Sequence, residues 1–224
     1  MLGEALQAAF RAGTVSRDDV FIVTKVYPHN ASARAMRKAC EASLSRLGVE
    51  RADLYLLHWR GNVPLAETVA AFEDLVQRGR IARWGVSNFD AADLRELEAL
   101  PGGHACSANQ VYLSLGQRGP EYELLPWQQA RSMPLMAYSP IDQGALARNE
   151  ALTRVAARHG ATAAQVALAA LLAMQGVMAI PKSANEQRLR ENWAAAKLRL
   201  TREDRAELDR AFPPPKSKAP LAKI

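Results

Sequence analysis

Lys182, Ser183, Arg188, Glu191 and Asn192 fall close together, just after a short apolar run from Val177 to Ile180. Pro181 ends that run. Ser183 with Glu186 three residues on has the form of a capping box, which places the first helix amides near Ser183. Arg188 and Asn192 are four apart and share one helix face. A helix start carries free N–H donors and partial positive charge; with Lys182 and Arg188 beside it, the place suits a dianionic phosphate. An ordinary capped surface helix with two solvated bases has the same sequence. The segment gains meaning only from its surroundings.

Other chemistry-bearing residues stand in the same relation to apolar runs. They are Lys25 and Tyr27 in Thr24-Lys25-Val26-Tyr27, His58 and Trp59 after Leu57, and Ser87 and Asn88 after Val86. Asn109-Gln110 and Tyr138-Ser139-Pro140 complete the set. Taken singly, each has a plain reading: a solvated lysine, a rim histidine, a polar strand end, a packing ring. Together, at one mouth, they would supply a cation, an imidazole, several amides and an aromatic face.

The elements needed to bring them together are legible. Val20–Thr24, Leu54–Leu57, Ala82–Val86, Ala108–Val111, Leu135–Tyr138 and Val177–Ile180 read as buried strands. Met36, Cys40, Leu44 and Leu47 recur at helical spacing before Gly48, a C-terminal cap. Pro64 opens a helix whose stripe is Val69, Phe72 and Val76, ended by Gly79. Asp90 caps Ala91–Leu100, and Thr162 caps Ala163–Met174. Alternating strands and helices imply parallel strands under helices, the α/β class. About six βα units in one domain over residues 1–224 fit a (β/α)8 TIM barrel, with a phosphate site after its last strands. The rival doubly wound sheet needs a G-x-G-x-x-G turn after its first strand, and none is present.

Composition narrows the function classes. A 224-residue chain that is 49% hydrophobic can bury one sizeable core. The net charge of +6 comes partly from a basic, Pro-rich tail over residues 213–224. No dense basic block with interleaved aromatics appears, so no nucleic-acid partner is expected. No run reaches the ~18 apolar residues of a membrane span. The start lacks a signal peptide's basic flank and apolar core. Cys40 and Cys106 are too few for a disulfide framework and read as free thiols in a reducing, cytoplasmic setting. No metal-ligand cluster is apparent.

In order, Phe21-Ile22-Val23-Thr24-Lys25, Asp53-Leu54-Tyr55-Leu56-Leu57-His58-Trp59, Gly85-Val86-Ser87-Asn88-Phe89, Asn109-Gln110-Val111, Ala137-Tyr138-Ser139-Pro140 and Ile180-Pro181-Lys182-Ser183 resemble aldo-keto reductase motifs. The ordered set spans nearly the whole chain. Leu57-His58-Trp59-Arg60-Gly61-Asn62-Val63-Pro64, Leu124-Leu125-Pro126-Trp127 and Phe212-Pro213-Pro214-Pro215 are similar to bacterial small-carbonyl reductases of the methylglyoxal-reducing kind. The resemblance implies NADPH-dependent reduction of small aldehydes or ketones to alcohols by a cytoplasmic oxidoreductase, monomeric in intact relatives. It implies that Lys25 and His58 are catalytic and that Tyr27 and Trp59 line the substrate pocket. Ser87, Asn88 and Gln110 match the carboxamide contacts, and Tyr138 the ring stacked on nicotinamide. Ser139 and Ile141 match the loop over the pyrophosphate. Lys182, Ser183 and Arg188 match the 2′-phosphate contacts, and Glu191 and Asn192 the adenine contacts of bound NADP(H).

One departure stands out. The family's proton-donating Tyr and its Asp come in a D-x-x-x-Y arrangement, and no Asp here is followed by Tyr at that spacing. Leu2, Leu6 and Phe10 form a helical stripe from the first residues with no cap before it, as in a barrel lacking its first strands. A barrel without two adjacent strands exposes two edges and one flank of its core. The expectation is a chain with little reductase activity that retains nucleotide affinity. The alternative is a non-catalytic NADP(H)-binding barrel serving as a sensor or interaction subunit. A phosphate-binding barrel of unrelated chemistry leaves Ser87, Asn88 and Gln110 unexplained.

Overall fold

Most residues of the apolar runs are taken out of water, and they fold as parallel strands. In the computed structural model, which describes residues 2–224, the chain divides into two units, Met1–Ala108 and Asn109–Ile224. The first contains α1 (Leu2–Arg11), β1 (Val23–Val26), α2 (Ala33–Leu47), β2 (Ala52–Leu57), α3 (Leu65–Gln77), β3 (Ile81–Ser87) and α4 (Ala91–Glu98). β2 pairs in parallel with β1, Lys25 opposite Leu56, and with β3, Leu56 opposite Gly85. Parallel pairing puts the three C-terminal strand ends on one side of the unit.

The helices turn their apolar stripes inward. Met36, Cys40 and Leu44 of α2 are buried, and so are Val69, Phe72 and Leu75 of α3. Leu75, not Val76, completes the α3 stripe. Gly48 sits in the left-handed region at the end of α2 (φ 70°), as its C-cap assignment required. On α1 the expected Leu2-Leu6-Phe10 stripe is not the packed face. Leu2 is exposed, Leu6 and Phe10 are half-buried, and Gly3 is the buried residue. A Cβ at Gly3 would collide with the Arg46 carbonyl at the end of α2, so glycine permits the contact there. Gln7 strengthens it, its Nε2 donating to the Gly48 carbonyl over 2.7 Å.

The second unit contains β4 (Asn109–Tyr112), α5 (Leu124–Gln129), β5 (Leu135–Tyr138), α6 (Glu150–Arg158), α7 (Ala163–Leu172), β6 (Val177–Ala179), α8 (Glu186–Ala194) and α9 (Arg202–Ala211). β5 pairs in parallel with β4, Tyr112 opposite Tyr138, and with β6, Ala137 opposite Ala179. Leu152, Val155, Val166, Ala167 and Leu208 form a core among α6, α7 and α9. Asp204 fastens α9 to α6. Its carboxylate accepts from Thr201 N (2.9 Å) and Arg158 Nη2 (2.7 Å) and lies 2.6 Å from His159 Nε2. Burial pushes that carboxyl up, but the hydrogen bonds from His159, Thr201 and Arg158 outweigh it and hold the group well below the usual carboxylate range.

Both cysteines are free and buried. Burial raises the Cys40 thiol to about 11 and the Cys106 thiol to about 12. Among the described residues, no single helix is long and apolar enough to cross a membrane.

Candidate active site

In the first unit the polar strand ends converge. Lys25 lies in β1, and His58 directly follows β2, its amide donating to the Val26 carbonyl over 2.9 Å and so extending the ladder. Ser87, wholly buried, closes β3, and Asn88 follows it in the left-handed region (φ 61°), which Asn tolerates better than most side chains. Asn88 Nδ2 donates to the His58 carbonyl over 3.1 Å and reaches the Ser87 hydroxyl at 3.3 Å. Gly85 lets β3 approach closely: a Cβ there would collide with the Ala108 carbonyl and press on Leu56. The Tyr27 ring stacks on His58 (5.1 Å between centroids) and meets Trp59 edge-on at 5.4 Å. Tyr27 is 50% exposed and Trp59 39%, so these two form an open aromatic wall beside the imidazole.

The electrostatics follow from that packing. Burial pushes the Lys25 ammonium down, and no carboxylate among the described residues offsets it. Burial also lowers His58, and the Lys25 charge lowers it further. An imidazole held below its ordinary ~6.5 is neutral at neutral pH and keeps one N–H to donate. Native His58 therefore binds fewer protons than the unfolded chain just below ~6.5, so stability falls as pH drops through that window. Lys25→Met removes one of the two causes. His58 should then titrate at higher pH in an NMR titration, and an unmoved midpoint would uncouple the pair.

In the second unit, Gln110 is buried in β4 and Tyr138, half-buried, ends β5. Ser139 is left-handed (φ 47°) and begins the loop containing Ile141. Ile180 N donates to the Ala137 carbonyl over 3.0 Å, which sets Pro181, Lys182 and Ser183 beside the end of β5. Asn185, not Ser183, caps α8, its side chain accepting from Arg188 N over 3.0 Å. The Ser183 hydroxyl instead accepts from Asn185 N over 3.1 Å, a local turn that starts the helix later than the Ser183–Glu186 pattern suggested. Lys182 and Arg188 are exposed, and Glu191 and Asn192 are half-buried. The Glu191 carboxylate accepts from Gln187 over 2.9 Å, and its carbonyl accepts from Gln165 over 3.1 Å.

Two residues escaped the sequence reading. The Tyr112 ring stacks on Tyr138 (5.5 Å, 17°), and its hydroxyl donates to Asp142 Oδ1 over 2.9 Å. The signal was register: Tyr112 ends β4 as Tyr138 ends β5.

Residues 1–212 match the Aldo/keto reductase family. The chain is 48% identical to the methylglyoxal reductase YeaE of Escherichia coli (strain K12), over 99% of this chain and 77% of that protein. It is 35% identical to the glyoxal reductase of Bacillus subtilis (strain 168), over 92% of this chain and 73% of the relative. Among solved structures, an aldo/keto reductase from Klebsiella pneumoniae in complex with NADP and acetate superposes with a TM-score of 0.94 at 43% identity. That match covers 100% of this chain and 78% of the other.

Proposed function

The chain belongs to the aldo/keto reductase family, and from that membership we propose that it binds NADPH and serves the reduction of small aldehydes and ketones, methylglyoxal among them. Its fold is the family's (β/α)8 barrel over the share of that fold it covers. The observation that carries the reading is the neutral His58 beside Lys25, faced by Tyr27 and Trp59 and braced by Asn88. Such an imidazole can donate its N–H to a carbonyl oxygen while the neighbouring ammonium stabilises developing negative charge.

The remaining residues suit the cofactor by chemistry. When bound, NADPH supplies the hydride. Ser87 closes β3 with Asn88 after it, and Gln110 is the second residue of β4. Ser87 and Gln110 are buried, and each of the three offers donors or acceptors of the kind a carboxamide needs. Tyr138 offers a ring for the nicotinamide to stack on, and Ser139 and Ile141 belong to the loop that covers the pyrophosphate. Lys182, Ser183 and Arg188 take the 2′-phosphate, while Glu191 and Asn192 take the adenine. Small carbonyls enter beside Tyr27 and Trp59. The acetate and NADP in the Klebsiella pneumoniae structure and the methylglyoxal reductase relative support both halves of this reading.

These 224 residues hold no D-x-x-x-Y pair, and Lys25 has no carboxylate partner among the described residues. Tyr27 is exposed and stacked on His58, a pocket-wall placement. The reading is therefore binding with slow turnover. Titrating the 224-residue chain with NADPH should give saturable binding, and adding methylglyoxal should consume NADPH only slowly. Rates like those of the Escherichia coli relative would refute the impairment, and absent binding would refute the cofactor. Binding with no turnover on any small carbonyl would favour the second reading, a non-catalytic NADP(H)-binding sensor or interaction subunit. That Lys25 has no carboxylate partner among the described residues is the observation on its side.

A further inference from the structure

Resting on the NADPH reading, we infer that Tyr112 and Asp142 are positioning residues that hold the Tyr138 ring and the loop after it in their cofactor-binding arrangement. Tyr112 and Tyr138 face each other across the β4–β5 pair, ring against ring at 5.5 Å and 17°. A ring backed on one face by a neighbour cannot swing toward it, so it presents its other face in a fixed plane. The same Tyr112 reaches the loop, its hydroxyl donating to Asp142 Oδ1 over 2.9 Å. Burial, then Asp142, raises that phenol to about 12, so it stays protonated and donating at any ordinary pH.

The loop needs such a strut. Ser139, Asp142 and Gln143 are left-handed with φ of 47°, 48° and 53°, and none of them is glycine. Conformations of this kind persist only where the surroundings over-determine them. Asp142 N donates to the Ser139 carbonyl over 3.0 Å, and Gly144 N to the Ile141 carbonyl over 2.9 Å. Those bonds shape the turn but do not tie it to the sheet. The Asp142 carboxylate does: one oxygen meets Tyr112, and the other lies where a Cβ on Gly116 would collide with it. Gly116 thus leaves room for the carboxylate next to β4.

The test uses the full 224-residue chain and two nucleotides in calorimetric titrations. NADPH engages both the stacked ring and the loop. Adenosine 2′,5′-bisphosphate carries the 2′-phosphate end without the nicotinamide. Tyr112→Phe keeps the ring and loses the hydrogen bond, and should weaken NADPH about fivefold. Tyr112→Ala loses both and should weaken it at least about tenfold. Both should bind adenosine 2′,5′-bisphosphate within about twofold of the parent, since neither touches that end. Asp142→Asn added to Tyr112→Phe should change nothing more, because Tyr112→Phe has already broken the strut.

Equal losses for both nucleotides in the Phe variant would make the role merely structural and overturn the assignment. So would unchanged NADPH affinity in both variants. A parent chain that binds the bisphosphate but not NADPH would also overturn it. A parent that binds neither nucleotide would refute the cofactor reading itself and this assignment with it.

Discussion

Replacing Lys182 and Arg188 together by Ala is expected to weaken NADPH binding about a hundredfold and to leave NADH unchanged. Both side chains are exposed, so neither carries a burial cost and neither is needed by the core. Each should contribute about tenfold as a charge-assisted contact to a phosphate dianion, and the two act from different segments, before and within α8. Asn185 caps the helix through Arg188 N, a backbone bond that survives loss of the Arg188 side chain. The cradle therefore loses charge and keeps its shape. Added salt should erode the difference between parent and variant, as expected for exposed charges. Paired titrations with NADPH and NADH read the outcome. Matched losses for the two cofactors would show that these residues do not contact the 2′-phosphate.

Trp84→Ala is expected to destabilise the protein by about 3–5 kcal/mol, the usual cost of emptying a large buried aromatic site. Trp84 is 1% exposed in β3 and lies flat against Phe72 of α3, 5.1 Å between centroids with 4° between planes. Its Nε1 donates to Glu73 over 2.7 Å, so the indole is satisfied at its polar end as well. Truncation leaves a cavity between strand and helix and removes the partner of Glu73. The same strand carries Gly85 and Ser87, so loss of packing at Trp84 also loosens the ladder that sets Asn88 under the His58 carbonyl. Chemical denaturation gives the measurement. A loss below about 1 kcal/mol would mean that the helix collapses onto the strand without cost. Phe72→Leu offers a milder control on the same contact.

Strand existence was the easiest feature to read, because β2, β4 and β5, largely buried, show as apolar runs. By contrast β1 and β6, expected to be buried, are only partly so, with Met178 51% exposed. Leu135–Tyr138 appears as expected, and β2, β3, β4 and β6 differ from expectation by a residue or two at their ends. The first strand drifted most. Val20–Thr24 was the apolar run, but β1 is Val23–Val26, since pairing with β2 and not hydrophobicity fixes where the ladder begins. Caps at Gly48, Asp90 and Thr162 were local chemistry and so legible. The cap of α8 was not, because Ser183 and Asn185 both suit the role and only the backbone path chooses between them. On α1 the helical stripe misled, because the face packed against the end of α2 carries Gly3, while Leu2 is exposed. Parallel pairing brings Lys25, His58, Ser87 and Asn88 toward one end of the first unit. In the second, Gln110 is the second residue of β4, opposite Met136 and not at the strand end expected of it. What spacing could not reveal was the depressed His58, a consequence of burial and Lys25 together, nor the bond from Tyr112 to Asp142 across two elements.

The sulfur chemistry of the chain has a bearing on the compounds it is proposed to meet. Small carbonyl compounds add to thiolates as one of several protein nucleophiles, guanidinium and amine groups among them. Cys40 and Cys106 are enclosed, and their pKa values of about 11 and 12 leave almost no thiolate at physiological pH. The folded chain thus presents almost no reactive sulfur to the carbonyl compounds proposed as its substrates, and modification at sulfur should follow unfolding.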